Sequence, residues 1–425
     1  MDKDILKQVM LENQKDVERY AVVQRDFSIG DFPCYVFVGI RRAGKSFLLF
    51  QRIQQLLREG KGWDEMLYLN FEDERLDTFA TTDLNLILEC HYELYGKRPA
   101  LFLDEVQNVA GWEKFARRLA DTKHSVYITG SNANMLSREV MTTLGGRFMP
   151  IDVYPYSLKE YFDIHGISLN EKHLLVTDSR AMMIRTYDDY LRQGGMPETA
   201  LLPSKRNYLS SVYQNYLGDI IARNKVSNAN ALRLLLKKLS ESVHLPISYN
   251  RLSNLLSSVG GKISVPTVIN YVEYAENAWL LLRLKNIAAS YTDRESICKY
   301  YFVDNGILNL FLVNGEAALL ENMVALSLFR KYGHNLNGDD RVFFYNDRIE
   351  VDFYIPEEEW AIQVCYNMAD EETRNREVGT LSKITKVLAC KRRFIITFDQ
   401  EETLHDDFGE IDVVSAWKWC IELSQ

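Results

Sequence analysis

Eight residues, Gly39-Ile40-Arg41-Arg42-Ala43-Gly44-Lys45-Ser46, constrain this chain more than any others. They fit GxxxxGK[ST] at every specified position, follow the apolar run Cys34-Tyr35-Val36-Phe37-Val38 and open a helix-like stretch from Lys45 to Arg58. Strand, loop and helix is the context that this pattern requires. Successive backbone N–H groups in such a loop, with the positive end of the following helix, form a concavity for phosphate oxygens. Lys45 then brings a point charge to the β- and γ-phosphates of ATP, and the Ser46 hydroxyl is a hard oxygen ligand for Mg²⁺.

The rest of a nucleotide site is expected downstream. Ala100-Leu101-Phe102-Leu103 is an apolar strand that ends in Asp104 and Glu105. Asp104 is expected to hold Mg²⁺ through water, and Glu105 to polarise the attacking water as a general base. The next strand ends in Thr129-Gly130-Ser131-Asn132, where Asn132 or Ser131 is placed to orient that water or to form a plain turn. Gly145-Gly146-Arg147 precedes a fifth strand. Arg147 is the candidate transition-state cation, toward its own nucleotide or a neighbour's, which would imply a homo-oligomer.

Strands at Cys34–Val38, Met66–Phe71, Ala100–Leu103, Val126–Thr129 and Phe148–Val153 alternate with helical stretches, which predicts an α/β fold with a doubly wound parallel sheet ending near residue 160. These features resemble AAA-type P-loop ATPases whose C-terminal half is an uncharacterised domain with a restriction-endonuclease-like core. The resemblance rests on Gly39 to Ser46, Asn70-Phe71-Glu72-Asp73, Leu103-Asp104-Glu105, Thr129-Gly130-Ser131, Gly146-Arg147, Tyr154-Pro155-Tyr156-Ser157, Gly194-Gly195-Met196-Pro197-Glu198, Leu320-Glu321-Asn322 and Glu350-Val351-Asp352-Phe353. It implies a P-loop sheet of the additional-strand catalytic-glutamate type, with the Met66–Phe71 strand between the P-loop strand and the Asp104 strand.

Beyond the sheet, the sequence reads as a helical lid over 161–240, a winged helix over 241–292 and a nuclease-like α/β domain over 293–425. The winged-helix reading comes from helices at Tyr249–Leu256 and Pro266–Glu276 around Gly260-Gly261, followed by apolar Leu280–Leu284. Residues 201–300 hold 13 Lys/Arg against 6 Asp/Glu in a chain of net charge −9, so Lys262, Ser264, Thr267, Asn270, Arg283 and Lys285 are candidate DNA contacts, with a protein-docking role as the alternative. In the last domain Glu321 and Asp352 match a metal-dependent nuclease. Gln363 and Cys365 stand where a second acid and a lysine belong, so a degenerate site that no longer cuts is expected, with Lys383 or Lys386 on the following helix as candidate substitutes for the amine.

With 47% hydrophobic residues the chain can bury two or three cores, and its six cysteines, Cys34, Cys90, Cys298, Cys365, Cys390 and Cys420, form no CxxC pair. It has no run of eighteen apolar residues, and the N-terminus is charged. A cytoplasmic, non-membrane protein is the expectation. The leading reading is an ATP-hydrolysing switch whose nucleotide state controls how the C-terminal domains hold a protein or DNA. The alternative is an ATP-driven DNA-processing nuclease.

Overall fold

The computed structural model describes the chain except residues 26, 28, 31, 132–134, 136, 137, 201, 203, 335–339 and 425. It divides into two compact units, Met1–Val153 and Tyr154–Gln425.

The first unit is built on β1 (Cys34–Val38), β2 (Met66–Asn70), β3 (Ala100–Asp104), β4 (Val126–Gly130) and β5 (Met149–Asp152). Among the described residues these form one parallel sheet in the order β2-β3-β4-β1-β5. Its register is marked by an aromatic ladder across three neighbouring strands. Tyr127 stacks on Phe102 at 4.6 Å and on Tyr35 at 5.9 Å. Because β1 to β4 are buried along almost their whole length, both faces need cover. That cover comes from α1 (Lys3–Arg19), α2 (Lys45–Arg58), α3 (Leu84–Tyr95), α4 (Trp112–Asp121) and α5 (Arg138–Leu144).

The order corrects one expectation. The strand between β1 and β3 is β4, and the Met66 strand lies at the outer edge beyond β3. One strand does stand between the phosphate loop and the acids, but it is β4, which carries Thr129 and is followed by Ser131. The first helix ends at Arg19, where Tyr20 turns extended.

The second unit holds β6 (Ile247–Ser248), β7 (Leu281–Asn286), β8 (Ile297–Phe302), β9 (Phe343–Asp347), β10 (Ile349–Ile355), β11 (Trp360–Val364), β12 (Arg392–Thr397), β13 (Glu402–Asp406) and β14 (Gly409–Ser415). Among the described residues they make one sheet, ordered β13-β14-β12-β11-β10-β9-β7-β8-β6. Its helices are α6 (Leu158–Ile164), α7 (Glu171–Leu174), α8 (Thr177–Gln193), α9 (Lys205–Arg223), α10 (Ala229–Glu241), α11 (Tyr249–Gly260), α12 (Val265–Asn277), α13 (Tyr291–Ser296), α14 (Asn305–Leu308), α15 (Glu316–Tyr332), α16 (Glu371–Ile384) and α17 (Ala416–Leu423).

The boundaries expected at 240/241 and 292/293 fall inside this unit. The cause is the parallel pairing of β7 with β9, through Lys285↔Phe343 and Asn286↔Phe344, which joins the helix-turn-helix segment to the C-terminal sheet. A buried polar knot explains three of the sequence motifs. Asn322 donates to the Phe302 carbonyl and to Asn305 Oδ1, both at 2.8 Å, and Asn305 donates to Leu191 and Leu319 carbonyls. Asp304 accepts from the backbone of Gly195 at 2.8 Å. Only glycine fits at 195, since a Cβ there would meet the Tyr156 carbonyl at 2.2 Å.

Candidate nucleotide site

The loop from Gly39 to Gly44 leaves the C-terminal end of β1 and feeds α2. Gly39 runs at φ 154°, and a Cβ there would lie 2.0 Å from the Val153 carbonyl, so the loop begins backbone against backbone. Lys45 is buried and folds back over its own loop, donating to the carbonyls of Gly39 at 3.1 Å and Ile40 at 2.9 Å. Burial pulls its pKa down, and the charges of Glu105 and Asp104 oppose that shift. An ammonium that feels both acids is already at the junction of loop and acids.

Asp104 is buried at the end of β3. Tyr68 donates to its Oδ2 at 2.8 Å, Thr129 donates to its Oδ1, and Ser46 also hydrogen-bonds to it. Burial pushes its pKa up, the Thr129 bond works the other way, and neighbouring Glu105 adds to the rise. A buried carboxylate destabilised by lost water and a neighbouring acid is a site that favours a cation. Ser46 and Asp104 supply hard oxygen donors suited to Mg²⁺ shared with phosphates. Among the described residues no group of three or more His, Cys, Asp or Glu could hold a metal by itself, so any such ion would need the nucleotide's oxygens too.

Glu105 sits just past the strand in the left-handed region, φ 51°, ψ 41°, which costs a non-glycine residue on the order of 1 kcal/mol. Its backbone N–H is fixed by Thr129 Oγ1 at 2.9 Å. Its Oε2 accepts from Ser131 at 2.8 Å and from Gln107. The turn thus aims a carboxylate away from the strand and the next strand's hydroxyl holds it. Asn132 lies outside the described residues, so of the two proposed water-orienting side chains only Ser131 is placed.

Arg147 is found elsewhere. It precedes β5, whose Met149 pairs with Tyr35 near the start of β1, at the end of the sheet opposite the loop, and its guanidinium pairs with Asp121. That position corrects the reading in which it reaches its own nucleotide. Thr129, Tyr68 and Gln107 were missed from sequence. Thr129 was detectable in principle, since a hydroxyl at the end of the strand beside Asp104 is a natural partner for it, but this needs the correct strand order.

Residues 31–162 match the AAA domain family, and residues 184–317 match a domain of unknown function. An uncharacterized protein of Methanocaldococcus jannaschii is 32% identical over 441 residues, spanning 99% of this chain and 96% of that protein. An uncharacterized protein of Haemophilus influenzae is 30% identical over 307 residues, 70% of this chain and 74% of that one. The chain belongs to the family of these proteins. Its first unit carries an AAA-type P-loop ATPase domain. Among solved structures, a Walker-type ATPase of Pyrococcus abyssi is 12% identical, covering 70% of this chain and 99% of that chain at a TM-score of 0.44.

The second unit contains a separate charged cluster. Lys299, 0% exposed on β8, lies 3.0 Å from Asp352, 3.0 Å from Glu350 and 3.3 Å from Glu321, and Tyr301 donates to Glu321 at 2.8 Å. Burial alone would pull the ammonium's pKa down, but the three carboxylates overcome it and hold it above the usual lysine range. Glu321 and Asp352 therefore do meet. Gln363 accepts from the Asp352 backbone at 2.9 Å and donates to Glu377 at 2.7 Å. Cys365 packs instead with Met368, Leu381 and Ile384. The amine at the acids is Lys299, not Lys383 or Lys386. Its signal was present, since a lone lysine inside Ile297–Phe302 must find partners when that strand is buried.

The expected DNA-contacting cations are also differently employed. Arg283 grips buried Glu276 at 2.8 and 3.0 Å, and Lys285 pairs with Glu295 and Asp340. Ser264 caps α12 by accepting from the Thr267 N–H, while Lys262 and Asn270 are exposed. No helix among the described residues is long and apolar enough to cross a membrane.

Proposed function

We propose that the first unit binds ATP with Mg²⁺ and hydrolyses it, and that the nucleotide state governs how the second unit holds a protein partner. What carries the reading is the convergence of Lys45, Asp104 and Glu105 at the C-terminal ends of β1 and β3, with Thr129 and Ser131 of the intervening strand bonded to the two acids. Lys45 leaves the loop carbonyls for the β- and γ-phosphates. Ser46 and Asp104 would hold the magnesium, whose charge would offset that of the phosphates, and Glu105 takes the proton of the attacking water. Ser131 sets the direction of that carboxylate.

In the second unit, α10, β6, α11, α12, β7 and β8 follow one another in the order of a winged helix, and β6 and β7 both pair antiparallel with β8. The outward residues of α12 are Pro266, Ile269, Asn270 and Glu273, and the two wing cations are engaged within the chain. This composition favours a protein surface over a phosphate backbone.

The test is calorimetric and kinetic. Lys45→Ala should abolish ATP binding, whereas Glu105→Gln should keep binding and slow turnover on the order of a hundredfold. Equal nucleotide affinity in the wild type and Lys45→Ala would overturn the reading.

A further inference from the structure

The geometry points to Arg41 as the chain's own cation for the γ-phosphate, paired with Glu72 and exchanging that carboxylate for the phosphate on binding. This rests on the ATPase reading and adds the residue that distinguishes a triphosphate from a diphosphate.

Arg41 belongs to the loop after β1, and Glu72 lies two residues beyond β2, yet the two side chains meet at 2.6 Å. In the sheet order β2-β3-β4-β1, the ends of β3 and β4 stand between them. At roughly 4.8 Å per strand, the pair has to reach across the strand ends that carry Asp104, Glu105 and Ser131. Arg41 and Glu72 thus meet at the end of the sheet where those acids stand, the end at which the last phosphate and its water are expected. The charges of both Arg41 and Glu72 are felt at the Lys45 ammonium, consistent with that placement. Arg41 and Glu72 also line an open cleft of about 460 Å³, together with Phe71 and Asn108, so there is room beside them for a ligand group.

The pair is suited to exchange. Its side chains are 40% and 44% exposed, and ion pairs of such exposure contribute little to stability. A γ-phosphate offers a planar guanidinium several oxygens and more charge than one carboxylate does. A diphosphate ends one group short and leaves Arg41 with Glu72. The other arginine singled out by sequence, Arg147, is tied to Asp121 at the opposite end of the sheet.

The experiment measures affinity for ADP and for a non-hydrolysable ATP analogue, with Mg²⁺, in the wild type, Arg41→Ala, Arg41→Lys, Glu72→Gln and the double variant Arg41→Ala with Glu72→Gln. ATP turnover is followed in parallel. Arg41→Ala should weaken the analogue at least tenfold with ADP within about twofold, and lower turnover on the order of a hundredfold. Arg41→Lys should recover part of each loss. Glu72→Gln should tighten the analogue selectively, and the double variant should lose that gain. Equal losses for ADP and the analogue in Arg41→Ala, or no loss for either, would overturn the inference while leaving the ATPase reading intact. If the wild type binds neither nucleotide, the ATPase reading itself fails. If it binds both without turnover, the ratio of the two affinities still decides the role of Arg41.

Discussion

Two residues of the second unit are held in states that water would not allow, and each makes a measurable demand. Lys299 has no exposed surface and three carboxylates around it. Replacing it with methionine keeps the volume but leaves buried acids unpaired. A loss of about 3–5 kcal/mol is expected in urea unfolding, with part of it recovered at low pH as the acids take up protons. His334 is half-buried, and burial, with the charges of Arg283 and Lys285, lowers its pKa to about 4. Unfolded, it would bind a proton near 6.5. Between those values the unfolded chain holds more protons, so its contribution is complete above about pH 6.5 and is lost as the pH falls toward 4. His334→Gln keeps an acceptor for the Arg283 N–H, and should reduce the stability loss between pH 7 and pH 5 by about 2 kcal/mol.

At the level of elements, sequence pattern located the strands of the first unit because β1 to β4 each hold a run of three or more apolar residues. Pairing was harder. Nothing local says that β4 lies between β1 and β3, and with that order missing, the partnership of Thr129 with both acids stayed hidden. The same limit affected α12 and its hairpin. Their existence was readable, but charge composition alone could not reveal that Arg283 is bound to Glu276 and Lys285 to Glu295. Of the three cations weighed for DNA, only Lys262 is exposed without such a role in the sheet. Any salt dependence of duplex DNA binding should therefore flatten by about 0.9 log units per log unit of salt in Lys262→Ala, with no further flattening from Lys285→Ala. A larger flattening from Lys285→Ala would restore the hairpin as a phosphate-binding edge. In β11, Gln363 bonds to Asp352 and Glu377 while Cys365 faces the apolar core, so incubation with Mg²⁺ or Mn²⁺ should leave plasmid DNA uncut. Nicking abolished by Asp352→Ala would contradict this.

For the whole molecule, the position of Arg147 separates two modes of working. Its guanidinium is bound to Asp121 on the far end of the sheet from the phosphate loop, so a part in turnover requires a second copy of the chain. In dilute protein Arg147→Ala should leave turnover within about twofold, since the proposed cation, Arg41, belongs to the same chain as the site. A rate per chain that climbs with concentration, and is rescued by mixing Arg147→Ala with Glu105→Gln, would mark sites shared between copies.

The crowding at Gly39 has a dynamic corollary. Val153, whose carbonyl leaves no space for a methyl group on Gly39, also donates its N–H to the Val38 carbonyl at 2.6 Å and is the last residue of its unit. A phosphate that draws the loop inward by a few tenths of an ångström cannot do so without the chain at 153 giving way in step. Main-chain atoms at 153 and at the start of the loop are thus linked within the first unit. Amide hydrogen exchange at Val153 should be among the first signals to change when the loop fills, ahead of any change in the helices beyond it.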